Sequence, residues 1–215
     1  MDFNWYKCIS SSLRESIPTE EDKHLGFKDI GKNLTDADLS LLNSRYSFSD
    51  FFKAGGEGAA FIDSKTGHIV KITTEIEEYE NALKIMGNET IQKYFVPVYD
   101  AYKLDNEYGI YVIEEGYASP LSSDEYFYVK YIHSRIVALN FSSEIFSDGY
   151  KEQLAEILKY STKIKLDKSK FYKIFDIYIN LINGIYSIGF NSGDNHEDNV
   201  GWYEGKLVRF DFSHL

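Results

Sequence analysis

The chain changes character near residue 122, and this change limits the folds open to it more than any other feature. Before that point, short runs rich in β-branched and aromatic residues are separated by turn residues, as in "FSDFFKAG", "AAFID", "HIVKIT", "YFVPVYDAYKL" and "YGIYVIEEG". Such runs predict β-strands, with one helix between them in "TEIEEYENALKIMG". After residue 122 the apolar residues follow helical spacing. We therefore expect an α+β protein whose strand-rich part precedes a mostly helical part.

The two parts predict three segments along the 215 residues. Residues 1–47 read as an accessory segment, in which Thr35 and Asp38 have the spacing of a capping box and predict a helix start. Residues 48–117 would form the sheet with its helix, and residues 118–215 the helical part. In the last long helix the apolar residues lie almost all round, which favours a buried helix. These residues are Phe171, Ile174, Phe175, Ile177, Tyr178, Leu181, Ile182 and Ile185.

Composition and charge exclude several classes of function. The chain is 43% hydrophobic and 16% aromatic, which allows a sizeable core. Its net charge of −11 argues against binding to nucleic acid or to an anionic membrane. With the single cysteine Cys8 no intrachain disulfide can form. No secretory signal and no membrane-spanning run is recognisable, so we expect a cytoplasmic protein.

A glycine-rich turn and a strand lysine form the first candidate site. Gly55, Gly56 and Gly58 lie between two predicted strands, where backbone N–H groups can cradle phosphate, although glycines are also common in ordinary hairpins. Lys71 interrupts an apolar strand and shares a face with Ile69. A lysine in such surroundings either reaches water from a sheet edge or is aimed at an anion.

The helix after this strand offers carboxylates that could pair with a lysine. We expect its sheet-facing stripe to be apolar, and Glu80 lies at the flank of that stripe, whereas Glu77 and Glu78 point further away. The predicted stripe consists of Ile76, Tyr79, Leu83 and Met86. For any one of these glutamates a solvated surface position is the alternative.

The stretch "SGDNHEDNVGWYEGKLVRFDFSHL" contains three residues that can offer hard oxygen ligands. Asp211 follows a predicted strand, Asn199 offers a carbonyl oxygen, and Asp194 can accept a proton from an attacking hydroxyl. Carboxylate and amide oxygens suit Mg²⁺. The alternative is an ordinary solvated loop, since loops rich in Asp, Asn and Gly are frequent.

Taken in order, these features resemble the protein-kinase-like superfamily, over about Phe48 to Phe212. The resemblance implies a two-lobe fold with an antiparallel-sheet N-lobe, and ATP and Mg²⁺ as cofactors. It makes Lys71 the phosphate-binding lysine, paired with Glu80, and Asp194 the catalytic base. It makes Asn199 and Asp211 the metal ligands. The implied nucleotide contacts are the glycine-rich loop, the adenine-pocket wall Ile69, the gatekeeper Ile113, the hinge residues Glu114, Glu115 and Gly116, and His196 near the γ-phosphate.

The departures from that pattern shape the functional prediction. Ser192-Gly193 stands where protein kinases have His-Arg, a loop closer in style to aminoglycoside phosphotransferases, and Ser213 replaces the glycine of Asp-Phe-Gly. The sequence ends at Leu215, so we expect a reduced helical C-lobe, as in small kinases of phages and bacterial effectors. The predicted activity is transfer of the ATP γ-phosphate to a hydroxyl of a protein substrate. Alternatives are a pseudokinase that binds a partner protein, a small-molecule kinase and a nucleotidyl transferase.

Overall fold

The computed structural model describes residues 30, 33–54, 58–138, 148–161, 167–190 and 196–212, and of residues 49–54, 138, 148, 150 and 157–161 the backbone alone. The chain divides into two compact units. The first comprises Met1–Gln92 and Pro97–Tyr117, and the second Lys93–Val96 and Ala118–Leu215. The predicted segment boundaries at residues 47/48 and 117/118 stay predictions.

The first unit is built on a five-stranded antiparallel sheet, as its strand-rich sequence predicts. It contains helix α1 (Asp36–Arg45), strands β1 (Phe48–Ala54), β2 (Gly58–Asp63) and β3 (Ile69–Thr73), helices α2 (Ile76–Ile85) and α3 (Glu89–Gln92), and strands β4 (Val98–Lys103) and β5 (Tyr111–Glu115). The strand order is β1-β2-β3-β5-β4, which puts β3 at the centre. The α+β prediction is confirmed for this unit.

Helix α1 belongs to the same core as the sheet. Leu42 of α1 is fully buried in one cluster with Val70 and Ile72 of β3. The helix begins where its capping box predicts, since Asp38 N–H donates to Thr35 Oγ1 at 3.1 Å and Thr35 N–H donates to Asp38 Oδ2 at 2.9 Å. One face of β3 is therefore covered by a segment that precedes the sheet in sequence.

Helix α2 packs on β4 and β5 with a different stripe from the predicted one. Its buried residues are Glu78, Asn81, Ala82 and Ile85. The predicted stripe lies largely on the outer side, with Ile76 53% and Leu83 39% exposed. The prediction was wrong because it weighed residue size and hydrophobicity. This helix buries the small residue Ala82 and two polar side chains, Asn81 and Glu78, that have polar partners.

The second unit is mostly helical and ends in a hairpin. It contains α4 (Ser123–Ala138), α5 (Asp148–Ser161), α6 (Lys168–Ser187), β6 (Val200–Tyr203) and β7 (Lys206–Arg209). The hairpin turns at Glu204 and Gly205, which both have positive φ, 48° and 77°, as a tight two-residue turn requires. Among the described residues, no helix is long and apolar enough to cross a membrane.

Helix α6 forms the core of the second unit. All of its predicted core residues are buried except Ile177, which is half-buried, but Lys173, Asp176, Asn180 and Asn183 form an exposed stripe. The helix is therefore amphipathic with a wide apolar face, and the prediction of burial all round was wrong. At Gly184 a Cβ atom would lie 2.0 Å from Cε1 of Tyr94, so the glycine is what lets this ring approach the helix.

The short segment that contains Tyr94 joins β7. Arg209 N–H donates to the Tyr94 carbonyl at 2.9 Å, and Val96 N–H donates to the Arg209 carbonyl at 2.9 Å. Phe95 forms a parallel bridge with Arg209, and its ring lies edge-on to Phe212 with 6.1 Å between centroids. β7 therefore has hydrogen-bond partners on both edges, β6 on one side and residues 94–96 on the other.

Candidate functional site

Lys71 in the centre of the sheet forms an ion pair with Glu78 of α2. The Glu78 side chain is only 2% exposed and that of Lys71 22% exposed. Glu80, the predicted partner, is exposed. Two residues along a helix correspond to a rotation of about 200°, so Glu78 and Glu80 cannot both face the sheet. The structure corrects the prediction: a helix glutamate does meet Lys71, but it is Glu78.

The side chains beside Lys71 are small or apolar. Lys71 pairs across the sheet with Ala60 on β2 and with Ile113 on β5, and Ile69 pairs with Ile62. Cross-strand partners share a face of the sheet. Ile113 is fully buried and Ile69 is 4% exposed. The immediate cross-strand neighbours of Lys71 therefore form a small apolar patch beside this cation, which suits a planar ring that carries phosphates. The predicted roles of Ile69 and Ile113 as pocket walls stay predictions.

Of the predicted glycine-rich loop, the structure describes Gly58 alone. It begins β2, and a Cβ there would lie 2.8 Å from the Ile72 carbonyl oxygen, so a side chain would push β2 away from β3. Close strand approach is therefore a sufficient reason for this glycine. Gly55 and Gly56 lie outside the described residues, and their predicted phosphate contact stays a prediction.

The predicted hinge lies at the end of β5, where several groups already have partners. The Glu114 carboxylate lies 2.7 Å from Nδ1 of His68, and Glu115 is 5% exposed. The Gly116 N–H donates to the Pro97 carbonyl at 2.9 Å. An adenine contact through that N–H would have to displace the Pro97 carbonyl, and the role predicted for these three residues stays a prediction.

In the second unit the two predicted metal ligands are brought to adjoining positions. Asn199 precedes β6 and Asp211 follows β7, so the hairpin returns the chain to its starting point. The Phe210 N–H donates to the Asn199 carbonyl at 3.1 Å, which ties Asn199 to the residue immediately before Asp211. Asn199 is 7% exposed, and Asp211 is half-buried. Asp194, the predicted base, lies outside the described residues.

The two adjoining residues have the chemistry of a magnesium site. Asn199 and Asp211 offer one amide and one carboxylate oxygen, and Mg²⁺ typically takes one or two such ligands and completes its shell with phosphate oxygens and water. Among the described residues, no group of three or more His, Cys, Asp or Glu side chains is gathered as a zinc-type site would need. The donor set therefore fits Mg²⁺ with nucleotide phosphates.

A buried arginine next to Asp211 was missed by the sequence reasoning. Arg209 is fully buried, and its Nε–H donates to the Asp211 backbone carbonyl. Burial raises the pKa of the neighbouring Tyr178 hydroxyl, and the charge of Glu197 raises it further while Arg209 opposes this, so both charges lie close to Tyr178. Period-2 alternation along β7 gives no signal for this burial, because Val208 on the opposite face is buried as well as Leu207.

His196 lies in the turn that leads into Asn199. Its Nε2 is 3.3 Å from Nδ2 of Asn199, and its Nδ1 is 3.2 Å from the backbone N of Asp198. These contacts join His196 to the predicted metal ligand. The predicted contact with the γ-phosphate stays a prediction.

Comparison with known proteins gives a partial structural likeness. No model of a known protein family matches the chain, and no curated protein matches it in sequence. Among solved structures, APH(2″)-IIa in a ternary complex with streptomycin and ATP is 14% identical, with a TM-score of 0.34, and the match covers 91% of this chain and 71% of that one.

Two further solved structures overlap with the chain to a similar extent. A thermostable mutant of aminoglycoside phosphotransferase APH(4)-Ia is 12% identical with a TM-score of 0.37, and the match covers 81% of this chain and 70% of that one. ADP-bound aminoglycoside phosphotransferase APH(2″)-Ib is 13% identical with a TM-score of 0.33, and the match covers 83% and 70%. Overlaps of this size do not establish a common activity.

Proposed function

We propose that the protein is a Mg-ATP-dependent phosphotransferase, a small atypical kinase that transfers the γ-phosphate to a hydroxyl of a protein substrate. The observation that carries the proposal is the Lys71–Glu78 ion pair, in which the direct cross-strand neighbours of the lysine are apolar. Burying a carboxylate is unfavourable unless it has a partner, and an apolar pair of the same shape would often be at least as stable. An ion pair at this position is therefore better explained by a lysine held for an anionic ligand than by stability.

In this proposal the side chains divide the work by charge. Lys71 contacts phosphate oxygens of ATP and Glu78 holds the lysine in place. Asn199 and Asp211 ligate Mg²⁺, which when bound supplies charge neutralisation on the phosphates. Asp194 accepts the proton of the attacking hydroxyl. The hydroxyl oxygen forms a bond to the γ-phosphorus while the bond between that phosphorus and the bridging oxygen breaks, and ADP leaves.

The proposal is tested by incubating the purified protein with γ-labelled ATP and Mg²⁺, and separating protein from small-molecule products. Three acceptor conditions are compared: the protein alone, added cell lysate, and an aminoglycoside. We expect label on protein, lost in Asp194→Ala, Asp211→Ala and Lys71→Met but kept in Glu80→Gln, because Glu80 is exposed. Removal of a catalytic group costs roughly 10²–10⁴-fold in rate.

The other outcomes each replace part of the proposal. Label on the aminoglycoside and none on protein would make the protein a small-molecule kinase, the class to which the solved structures named above belong. Transfer of the nucleotide, followed with α-labelled ATP, would make it a nucleotidyl transferase. Nucleotide binding without any transfer would refute the enzyme and favour a pseudokinase that acts by binding a partner. Resemblance to small kinases of phages or effectors stays a prediction.

A further inference from the structure

The carboxamide of Asn199 has two ends of nearly the same shape and opposite chemistry. Its oxygen can ligate a cation, whereas its NH₂ group can only donate hydrogen bonds. Asn199 is 7% exposed, so neighbouring groups rather than water decide which end is presented. In the structure the NH₂ end faces the ring of His196, with 3.3 Å between Nδ2 and Nε2.

The contact between these two residues is reinforced by the backbone. Asn199 N–H donates to the His196 carbonyl at 3.1 Å, which closes the turn and keeps the imidazole beside the amide. The Asn199 carbonyl in turn accepts from Phe210, the neighbour of Asp211. The main chain of Asn199 is thus fixed at both its N–H and its C=O, and the orientation of its side chain remains to be set by the groups around it.

We propose that His196 is a positioning residue, which accepts a hydrogen bond from the NH₂ of Asn199 and so turns the amide oxygen toward Mg²⁺. The inference rests on the proposed function and deepens it. A histidine that bound the γ-phosphate directly would act on the nucleotide itself. A histidine that orients Asn199 acts on the metal-dependent part of nucleotide binding.

The imidazole can hold the amide in this orientation in one tautomer. A neutral ring accepts at one nitrogen and donates at the other. If Nε2 accepts from Asn199, the proton lies on Nδ1, where the Asp198 carboxylate oxygen Oδ2 at 3.7 Å attracts it electrostatically. If Nδ1 instead accepts from the Asp198 N–H at 3.2 Å, the proton lies on Nε2, and Asn199 must turn its oxygen toward the ring. The first arrangement is the one that presents the oxygen to a metal, and in it the Asp198 N–H can no longer donate to Nδ1.

Two substitutions separate the two ring nitrogens. The amide of a glutamine reaches about as far as Nε2, and the amide of an asparagine about as far as Nδ1. His196→Gln therefore keeps a hydrogen-bond partner for Asn199, and His196→Asn removes it while keeping a polar group near Asp198. The two variants differ by one methylene group, so each controls for the other.

The test measures the dissociation constant of a fluorescent ATP analogue with Mg²⁺ and with EDTA, for the wild-type protein and both variants. The dissociation constant in EDTA divided by the one with Mg²⁺ reports how much the metal contributes to binding. We expect His196→Asn to lower this ratio about tenfold, as is typical when a residue that orients a metal ligand is removed. We expect His196→Gln to stay near wild type, and the constants in EDTA and the melting temperatures of all three proteins to agree.

Each other result contradicts the inference in a recognisable way. Equal ratios in wild type and His196→Asn would show that His196 does not orient Asn199. A larger dissociation constant in EDTA for His196→Asn than for the wild-type protein would show that the histidine contacts the nucleotide itself. Failure of the wild-type protein to bind the nucleotide more tightly with Mg²⁺ would overturn the proposed function, before any variant is compared.

Discussion

The partner of Lys71 can be determined by a double-mutant cycle. Lys71→Met removes the ammonium group and keeps most of the side-chain volume. It deprives Glu78, whose side chain is 2% exposed, of its cation. Removal of one partner from a buried ion pair typically costs about 3–5 kcal/mol. Because Lys71 itself is 22% exposed, we expect the lower end of that range, about 3 kcal/mol in the free energy of unfolding.

The two glutamates are predicted to respond differently. Glu78→Gln keeps the shape and some hydrogen bonding but removes the charge, and Lys71 can turn partly toward water, so we expect a loss of about 1 kcal/mol. Glu80 is exposed, and Glu80→Gln should change the free energy of unfolding by at most about 0.5 kcal/mol. The coupling energy of Lys71→Met should be at least about 1 kcal/mol with Glu78→Gln and near zero with Glu80→Gln.

The assay is urea denaturation followed by circular dichroism. Hydrogen exchange of peptides that cover β3 and α2 is measured in parallel, because it reports on the first unit even when the two units unfold separately. A coupling with Glu80 equal to or larger than that with Glu78 would refute the assignment. A coupling below about 0.5 kcal/mol with both would show that the ion pair does not form in solution.

Two further predictions concern stability. Gly184→Ala should lower the free energy of unfolding, measured by calorimetry, by about 1–3 kcal/mol because the new Cβ meets the ring of Tyr94. Gly149→Ala, with no atom within 4 Å of its Cβ, should be neutral or stabilising. Equal effects of the two substitutions would contradict the packing of Tyr94 on Gly184. Burial raises the pKa of Asp63, but hydrogen bonds from groups that include Ser47 N–H at 2.7 Å lower it more, and the net shift is downward. A depressed pKa contributes stability that is present above the unfolded-state value, about 4, and is lost as the pH falls through the folded-state value, so Asp63→Asn should lessen the acid-induced loss of stability below about pH 4. An unchanged acid transition would contradict it.

Most of the elements could be predicted from sequence because their signals are local. Turn residues delimit the strands, the Thr35 capping box marks the start of α1, and Glu204–Gly205 marks the last hairpin. These signals act through a few neighbouring residues, so no knowledge of tertiary contacts is required. The short helix α3 was not predicted, since its four residues carry too little periodicity to be recognised.

The parts of the site that were mispredicted depend on partners distant in sequence. The stripe of α2 is set by an ion pair with β3 and by packing on β4 and β5, and no hydrophobicity pattern within the helix contains that information. Glu78 could have been found from its spacing to Ala82 and Ile85, a helical repeat with a small residue in it. The contact of His196 with the Asn199 amide is local, but it required the folded turn to be seen, and the predicted contact of His196 with the γ-phosphate stays a prediction.

The segment Lys93–Val96 limits where the chain can be cut into fragments that fold, and where its coding sequence can recombine. A fragment that starts at residue 118 would contain every helix of the second unit, yet it would lack the backbone partners of Arg209 and the ring that packs on Phe212. The two parts of the sequence before and after this cut therefore do not coincide with the two compact units. Recombination at a single crossover would separate residues that pack in the same core. We expect the two fragments to regain structure only when they are expressed together.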